Sequence, residues 1–510
     1  MVLVLEKRYK ISAFESGKRG KQTVEMLEKR YKTLALNLEK RYNRNISGKE
    51  VDYMLYRKAY EKLLDWKRRK SHQALCIVGA RQIGKTTIVR EFAKNEYENF
   101  FEINFITTPE AATIFDGNLD ADTLVRGLTA YAKKSLPVGK TLILFDEIQE
   151  CPNARTAIKF LVEDGRFDYI ETGSLLGTKY REVKSYPVGF EEIFHMYPMD
   201  FEEFALANGL PQETLDYLQQ CYNNLTVVEP AVHKVISELF YTYIVVGGMP
   251  QVVDNYVRTS DMGLVMEQQK SILEQYRLDI IKYAPESDKI KITAIFDDMP
   301  EQLDDKNRRF MLSKISTDAR MNRYENGFKW LEDAGVALPC YNVAAPQAPL
   351  ALNTKHNLFK LYFNDTGLLC AASMQNVQFS LLKGDLHVNM GSILENVMAQ
   401  QLKSNGFKLT YFDSKKYGEL DFVVQKQAEP EIIEIKSGND YKKHAALSKA
   451  LGVNDWQIKQ GIVFCKGNIE QLDRVVYLPW YMVMFYKASV IPLGSLHKVD
   501  LSGLPQRTLC

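Results

Sequence analysis

The sequence has no CxxC pair and no Cys-to-His spacing of the kind that binds zinc. Its seven cysteines stand singly at 76, 151, 221, 340, 370, 465 and 510. Neither a disulfide framework nor a structural zinc site is expected, and a reducing cytoplasm fits best. Long apolar runs are also missing: the longest near the C-terminus, VVYLPWYMVMFY at 475–486, has twelve residues and contains Pro479. A membrane span needs about 20. No apolar stretch precedes a small-residue cleavage site at the N-terminus, so a secretory signal is not expected either. What remains is a chain of 510 residues, 45% of them hydrophobic, enough for sizeable cores in about three or four domains.

Net charge is small, +2, and unevenly placed. Residues 5–48 repeat every eleven: LEKRYKISAFE, SGKRGKQTVEM, LEKRYKTLALN, LEKRYNRNISG. Twelve Lys and Arg against five Glu give this block +7 and leave about −5 for the rest. A period of eleven is close to three helical turns and would align the leucines and tyrosines on one face, although Gly17 and Gly20 interrupt the second repeat. A basic arm for nucleic acid and a solvated extension both account for such a block. A clean amphipathic pattern, MLYRKAYEKLLDWKRRK, begins at Met54, which could also be the natural start. Residues 1–53 are therefore set apart as a tail.

The stretch VGARQIGKTT at 78–87 joins an apolar strand-like run, ALCI, to a helix-like one, IVREFAKN. Gly79 to Thr86 reads G-x-x-x-x-G-K-T. The glycines let the backbone turn tightly so that successive N–H groups face phosphate oxygens; Lys85 neutralises the β- and γ-phosphates, and Thr86 offers a hydroxyl to Mg²⁺. The expected nucleotide contacts are Gly79, Ala80, Arg81, Gln82, Ile83, Gly84, Lys85, Thr86 and Thr87, aided by the dipole of the following helix. Downstream, TLILFDEIQE at 141–150 is an apolar strand ending in two acids. Asp146 is placed to hold Mg²⁺ and Glu147 to polarise the attacking water. A further strand-like run, FDYIETGS at 167–174, delivers Thr172 and Ser174, either of which could sense the γ-phosphate or simply begin a turn. Strands near 74–79, 99–105, 141–146, 167–172 and 195–201, alternating with helical stretches, predict a parallel sheet covered on both faces.

With GARQIGKTT, LILFDEIQ, ETGSLL, YPMDFEEF at 197–204 and GGMP at 247–250, residues 54–490 resemble the prokaryotic AAA-type ATPases fused to a C-terminal domain of unknown function related to PD-(D/E)xK nucleases. The resemblance implies that Lys85, Thr86, Asp146 and Glu147 bind and hydrolyse ATP with Mg²⁺, with a homo-oligomer as one way to supply an arginine in trans. Many relatives carry an arginine-rich LRGR-like segment where this chain reads REVKSYPVGFEEIFH. Arg181 is the nearest basic residue, with Arg166 and Arg258 as alternatives.

Residues 54–210 are thus expected to form the ATPase domain and 211–350 a mostly helical, winged-helix-like region. There Arg320 and Arg323, with Lys314 nearby, could grip a phosphate backbone or merely be solvated. After the linker AAPQAPLALN at 344–353, residues 351–490 are expected to form an α/β nuclease-like domain, and 491–510 a tail. Its ordered acids are Glu395 in a helical stretch, Asp421 in YGELDFVV, and Glu434 with Lys436 in PEIIEIKSG. In the nucleases it resembles, such acids gather Mg²⁺ and the lysine serves the attacking water. A residual fold in which Glu434 and Lys436 pair with each other is the alternative. The expected protein is a cytoplasmic, Mg²⁺-dependent ATPase coupled to a domain acting on DNA, or else an ATP-operated switch that does not cut; no membrane partner is expected.

Overall fold

The computed structural model describes residues 55–70, 72–173, 187–304, 309–317, 319–373, 382 and 390–489. The repeat block 5–48, Ser174, Arg181 and the tail 491–510 lie outside the described residues.

The first sheet holds β1 (Ala74–Val78), β2 (Asn99–Asn104), β3 (Thr141–Asp146), β4 (Asp168–Gly173) and β5 (Glu191–His195), all parallel, in the order β2-β3-β4-β1-β5. Strand β3 is apolar until its last residue because both faces are covered. Leu142 and Leu144 share a core with Leu63 of α1 (Lys58–Arg69) and Phe92 of α2 (Lys85–Glu96). Ile143 and Phe145 share another with Leu128 of α3 (Ala121–Ala132) and Ile158 of α4 (Pro152–Asp164). The parallel sheet with helices on both faces is present as expected.

Its fifth strand is not where the sequence suggested: it occupies 191–195, ahead of the expected 195–201. Pro198 has no N–H for a ladder. Asp200 instead caps α5 (Phe201–Ala207): its side chain accepts from Glu203 N at 2.9 Å, and the Glu203 side chain accepts from Asp200 N at 3.0 Å. This reciprocal box makes YPMDFEEF a helix entry.

Helices α6 (Gln212–Asn224), α7 (Pro230–Val246), α8 (Pro250–Thr259), α9 (Met262–Tyr283), α10 (Lys289–Asp304), α11 (Leu312–Ile315) and α12 (Met321–Asp333) precede an antiparallel pair, β6 (Ala337–Val343) and β7 (Thr354–Phe363). Lys314 is on α11, while Arg320 and Arg323 stand exposed at the start of α12. Then come α13 (Thr366–Ser373), α14 (Met390–Ser404), β8 (Thr410–Ser414) and β9 (Gly418–Leu420). Strand β6 also pairs in parallel with β8, giving the order β7-β6-β8-β9. The boundary expected at 350 therefore falls between two paired strands.

A second, mixed sheet contains β10 (Phe422–Lys426), β11 (Glu429–Ile435), β12 (Gly461–Cys465), β13 (Glu470–Leu472) and β14 (Val475–Pro479), with α15 (Ala445–Leu451) between β11 and β12. Strands β11, β12 and β14 run parallel, flanked by antiparallel β10 and β13.

One apolar core is continuous from Leu63 of α1 through Ile244 of α7 and Leu394 of α14 to Tyr486. A buried polar chain crosses the same seam. Tyr243 donates its hydroxyl hydrogen to Met199 O at 2.8 Å and accepts from the amides of Gln400 and Gln401 at 2.9 Å each; Gln401 Oε1 in turn accepts from Phe201 N at 3.2 Å. Buried amides left unpaired are costly, so this chain ties the end of the first sheet to α14. Among the described residues no helix is long and apolar enough to cross a membrane.

Candidate functional site

Strand register places the chemistry in one row. At the C-terminal edge of the first sheet, Asn104 of β2 lies opposite Asp146 of β3, Asp146 opposite Thr172 of β4, and Thr172 opposite Ile77 of β1. The turn 79–84 follows directly, so the P-loop and the strand-end acids meet where β1 is flanked by β4 and β5, the edge at which open α/β sheets bind ligands. Gly79 has φ +150°, and a Cβ there would lie 2.2 Å from Met196 O. Gly84, with φ +86°, caps α2. Both positions demand glycine.

Lys85 is buried, and its ammonium donates to Gly79 O at 2.9 Å and Ala80 O at 2.8 Å. Burial pushes its pKa down to about 8, against the pull of Glu147 and Asp146. Asp146, also buried, accepts from Thr86 Oγ1 at 2.9 Å, from Asn104 Nδ2 at 2.7 Å and from the Thr172 hydroxyl. All three donors are neutral, and among the described residues no lysine or arginine is bonded to it. Asn104 is locked in that role, because its side-chain oxygen already accepts from Ile106 N and Thr107 N, both at 3.0 Å. Glu147 turns off the strand in the left-handed region, φ +53°, and accepts from Gln149 Nε2 at 2.5 Å. A non-glycine residue held there is a local strain that recurs at functional sites. The oxygen donors Thr86 and Asp146 suit a hard dication such as Mg²⁺.

Two arginines brace the turn. Arg57 donates to Ile83 O at 2.8 Å and Tyr197 O at 2.7 Å, and pairs with Glu203 at 3.3 Å. Arg81 pairs with Asp279 of α9 at 2.5 Å. Gln82 bonds to Gln275, also on α9, and Thr87 is exposed on the first turn of α2. Arg166 precedes β4, at the edge opposite Thr172, and pairs with Asp164 at 2.6 Å and Asp122 at 2.7 Å; Arg258 pairs with Asp254 at 2.8 Å.

In the C-terminal domain, Glu395 on α14 is buried and accepts from Lys360 Nζ at 3.3 Å and Tyr362 OH at 3.0 Å. Lys360, fully buried on β7, also meets Glu419 at 2.5 Å. Asp421 accepts from Ile435 N at 2.8 Å, which sets it beside Glu434; Glu434 pairs with Lys436 at 2.8 Å. Burial, with Asp421 adding repulsion against the pull of Lys436, raises Glu434 to about 8. Asp421, Glu434 and Lys436 are thus neighbours, while Glu395 is engaged by a lysine. Among the described residues, the one group of three acid or thiol ligands drawn within 4.8 Å is Cys76, Glu171 and Glu191. Arg155 already stands among them, 2.9 Å from Glu191 and 3.7 Å from Glu171.

Sequence reading passed over Asn104, Arg57, Lys360 and Glu419. Asn104 had a signal, a polar residue closing the strand-like run NFFEIN one strand away from Asp146. Lys360, inside FKLYF, carried only the oddity of a charge in an apolar strand.

Residues 71–205 match the AAA domain family. Residues 237–378 and 390–482 match two domains of unknown function, DUF8612 and DUF4143. No curated protein matches the chain. Among solved structures, the Walker-type ATPase PABY2304 of Pyrococcus abyssi is 13% identical, with 62% of this chain and 96% of that one covered and a TM-score of 0.38. The Thermotoga maritima RuvB Holliday junction branch migration motor is 13% identical, with 57% and 91% covered and a TM-score of 0.27. The stretch similar to the AAA domain family, 71–205, holds the 79–87 turn, Asn104, Asp146, Glu147 and Thr172.

Proposed function

We propose that the protein binds ATP at 79–87 and hydrolyses it. The observation that carries the reading is the row Asn104, Asp146, Thr172 beside the P-loop, with Asp146 hydrogen-bonded by neutral donors and Lys85 hydrogen-bonded to carbonyls. Backbone N–H groups of the turn donate to the phosphates, and Lys85 exchanges its two carbonyls for the terminal phosphates. Thr86 and Asp146 would hold Mg²⁺, which when bound offsets phosphate charge. Glu147 takes the proton of the attacking water, and Thr172, already on Asp146, is placed to sense the γ-phosphate. An arginine given in trans by a second copy belongs to the same proposal. The test is phosphate release from ATP and Mg²⁺: Glu147→Gln should lose about 10²-fold or more in turnover, the usual worth of a general base. Unchanged turnover would remove Glu147 from that role.

For the C-terminal domain, a metal-dependent cut of DNA is supported by the adjacency of Asp421, Glu434 and Lys436. A non-cutting switch is favoured by Lys360, whose ammonium occupies Glu395 and Glu419. Incubating the protein with supercoiled and branched DNA in Mg²⁺ or Mn²⁺ separates them. Cleavage lost in Asp421→Ala and Lys436→Ala supports the nuclease; DNA bound and uncut supports the switch.

A further inference from the structure

The side chain of Arg81 and one face of α9 make a contact that ordinary phosphate cradling does not need. Arg81 meets Asp279 Oδ1 at 2.5 Å, and its guanidinium lies 4.8 Å from the Tyr283 ring centre. Tyr276 donates its hydroxyl to Arg81 O at 3.2 Å, and Gln82 bonds to Gln275. Positions 275, 276, 279 and 283 fall along one side of the helix. The neighbouring carbonyl, Ala80 O, is the one that holds the Lys85 ammonium at 2.8 Å. The guanidinium therefore leaves the chain from the same turn that faces the phosphates.

We infer that Arg81 is a phosphate ligand through its side chain, and that Asp279 competes with the nucleotide for it. The inference rests on the nucleotide reading above. A guanidinium binds phosphate oxygens in bidentate fashion, and a polyphosphate carries more charge than one carboxylate. Arg81 already acts on the site: its charge helps push Lys85 down, and the charge of Glu147 bears on Arg81 and Asp279 alike. When the nucleotide takes Arg81, Asp279 loses its cation while it stays partly buried, and the face of α9 toward the P-loop loses a bond. Elsewhere on that helix, the Gln269 amide donates to Val245 O at 2.8 Å and Val246 O at 3.0 Å, beside Gly248, whose N–H is held by Asp365 of the C-terminal half at 2.6 Å. Helix α9 thus links P-loop occupancy to the junction with the C-terminal domain.

The experiment is a calorimetric titration of the full chain with a non-hydrolysable ATP analogue and Mg²⁺. Arg81→Ala should weaken binding about tenfold or more, as loss of a charged hydrogen bond does. Asp279→Asn should tighten it about two- to fourfold, the scale of a partly exposed ion pair, and should have no effect in the Arg81→Ala background. Arg81→Lys, which keeps the charge without the fork, should fall between, and thermal melts of each variant verify folding. Asp279→Asn weakening binding would show that Asp279 positions Arg81 and overturn the competition; equal tightening in both backgrounds, or no effect of Arg81→Ala, would overturn the ligand role. Absence of binding by the unaltered chain would instead bring down the nucleotide reading.

Discussion

Two of the acid clusters are held in opposite ways. At the sheet edge, Asp146 is bonded by a threonine, an asparagine and a second threonine, while Lys85 rests on carbonyls. In the C-terminal domain, Glu395 and Glu419 share Lys360, and Glu434 has Lys436. The site proposed to take a polyanion and a dication leaves its acid and its lysine hydrogen-bonded to neutral groups. A cluster that has paired its charges internally has met the cost of burying them and has less to offer a ligand.

The largest consequence is on stability. Lys360→Met takes the ammonium from Glu395 and leaves it the Tyr362 hydroxyl, and removing one partner of a buried pair should cost about 3–5 kcal/mol in denaturant unfolding. Lys85→Met removes two bonds from an ammonium to carbonyls but also ends the cost of burying that charge, so its net loss should be about 1 kcal/mol. Equal losses would erase the contrast between the two places.

Next come the neutral donors on Asp146. Asn104→Ala or Thr172→Val should each lower ATP turnover by about ten- to a hundredfold, as expected for one hydrogen bond to a charged group, and Asn104→Ala, which also frees Ile106 N and Thr107 N, should lower the melting temperature more than Thr172→Val. Turnover at the normal rate in both would mean that Asp146 needs no such holding.

A smaller effect concerns pH. Glu434 is raised from 4.5 to about 8 in the fold. Its contribution to stability is therefore fully present below its ordinary value and is lost as pH rises through 8. Comparing denaturation midpoints across pH 5 to 9, Glu434→Gln should flatten part of the decline. An identical decline in the variant would show that Glu434 is ionised throughout. The smallest effect is expected from a chain that begins at Met54: it keeps Arg57, and its ATP turnover should match that of the full chain. A large drop would show that the repeat block packs on the body.

The meeting of the 79–87 turn with the strand ends was legible because its parts are local or in strand register: 79–87 is one turn, and Asp146, Glu147 and Thr172 stand at the ends of apolar strands. Asn104 needed the strand order, which alternation alone does not give. The fifth strand was misplaced because an apolar run with Pro198 reads as a strand until the box of Asp200 and Glu203 is noticed. Lys360 showed only as a charge in an apolar strand, since its partners come from α14 and β9, far along the chain. The shared core from Leu63 to Tyr486 was likewise beyond a reading that divides the chain into consecutive pieces.

The most direct measurement is a calorimetric titration of ATP with Mg²⁺ into the full chain and into Lys85→Ala. Saturable one-to-one binding by the first and none by the second is expected. Equal binding by both would contradict a phosphate site at 79–87 whose charges stand apart to receive it.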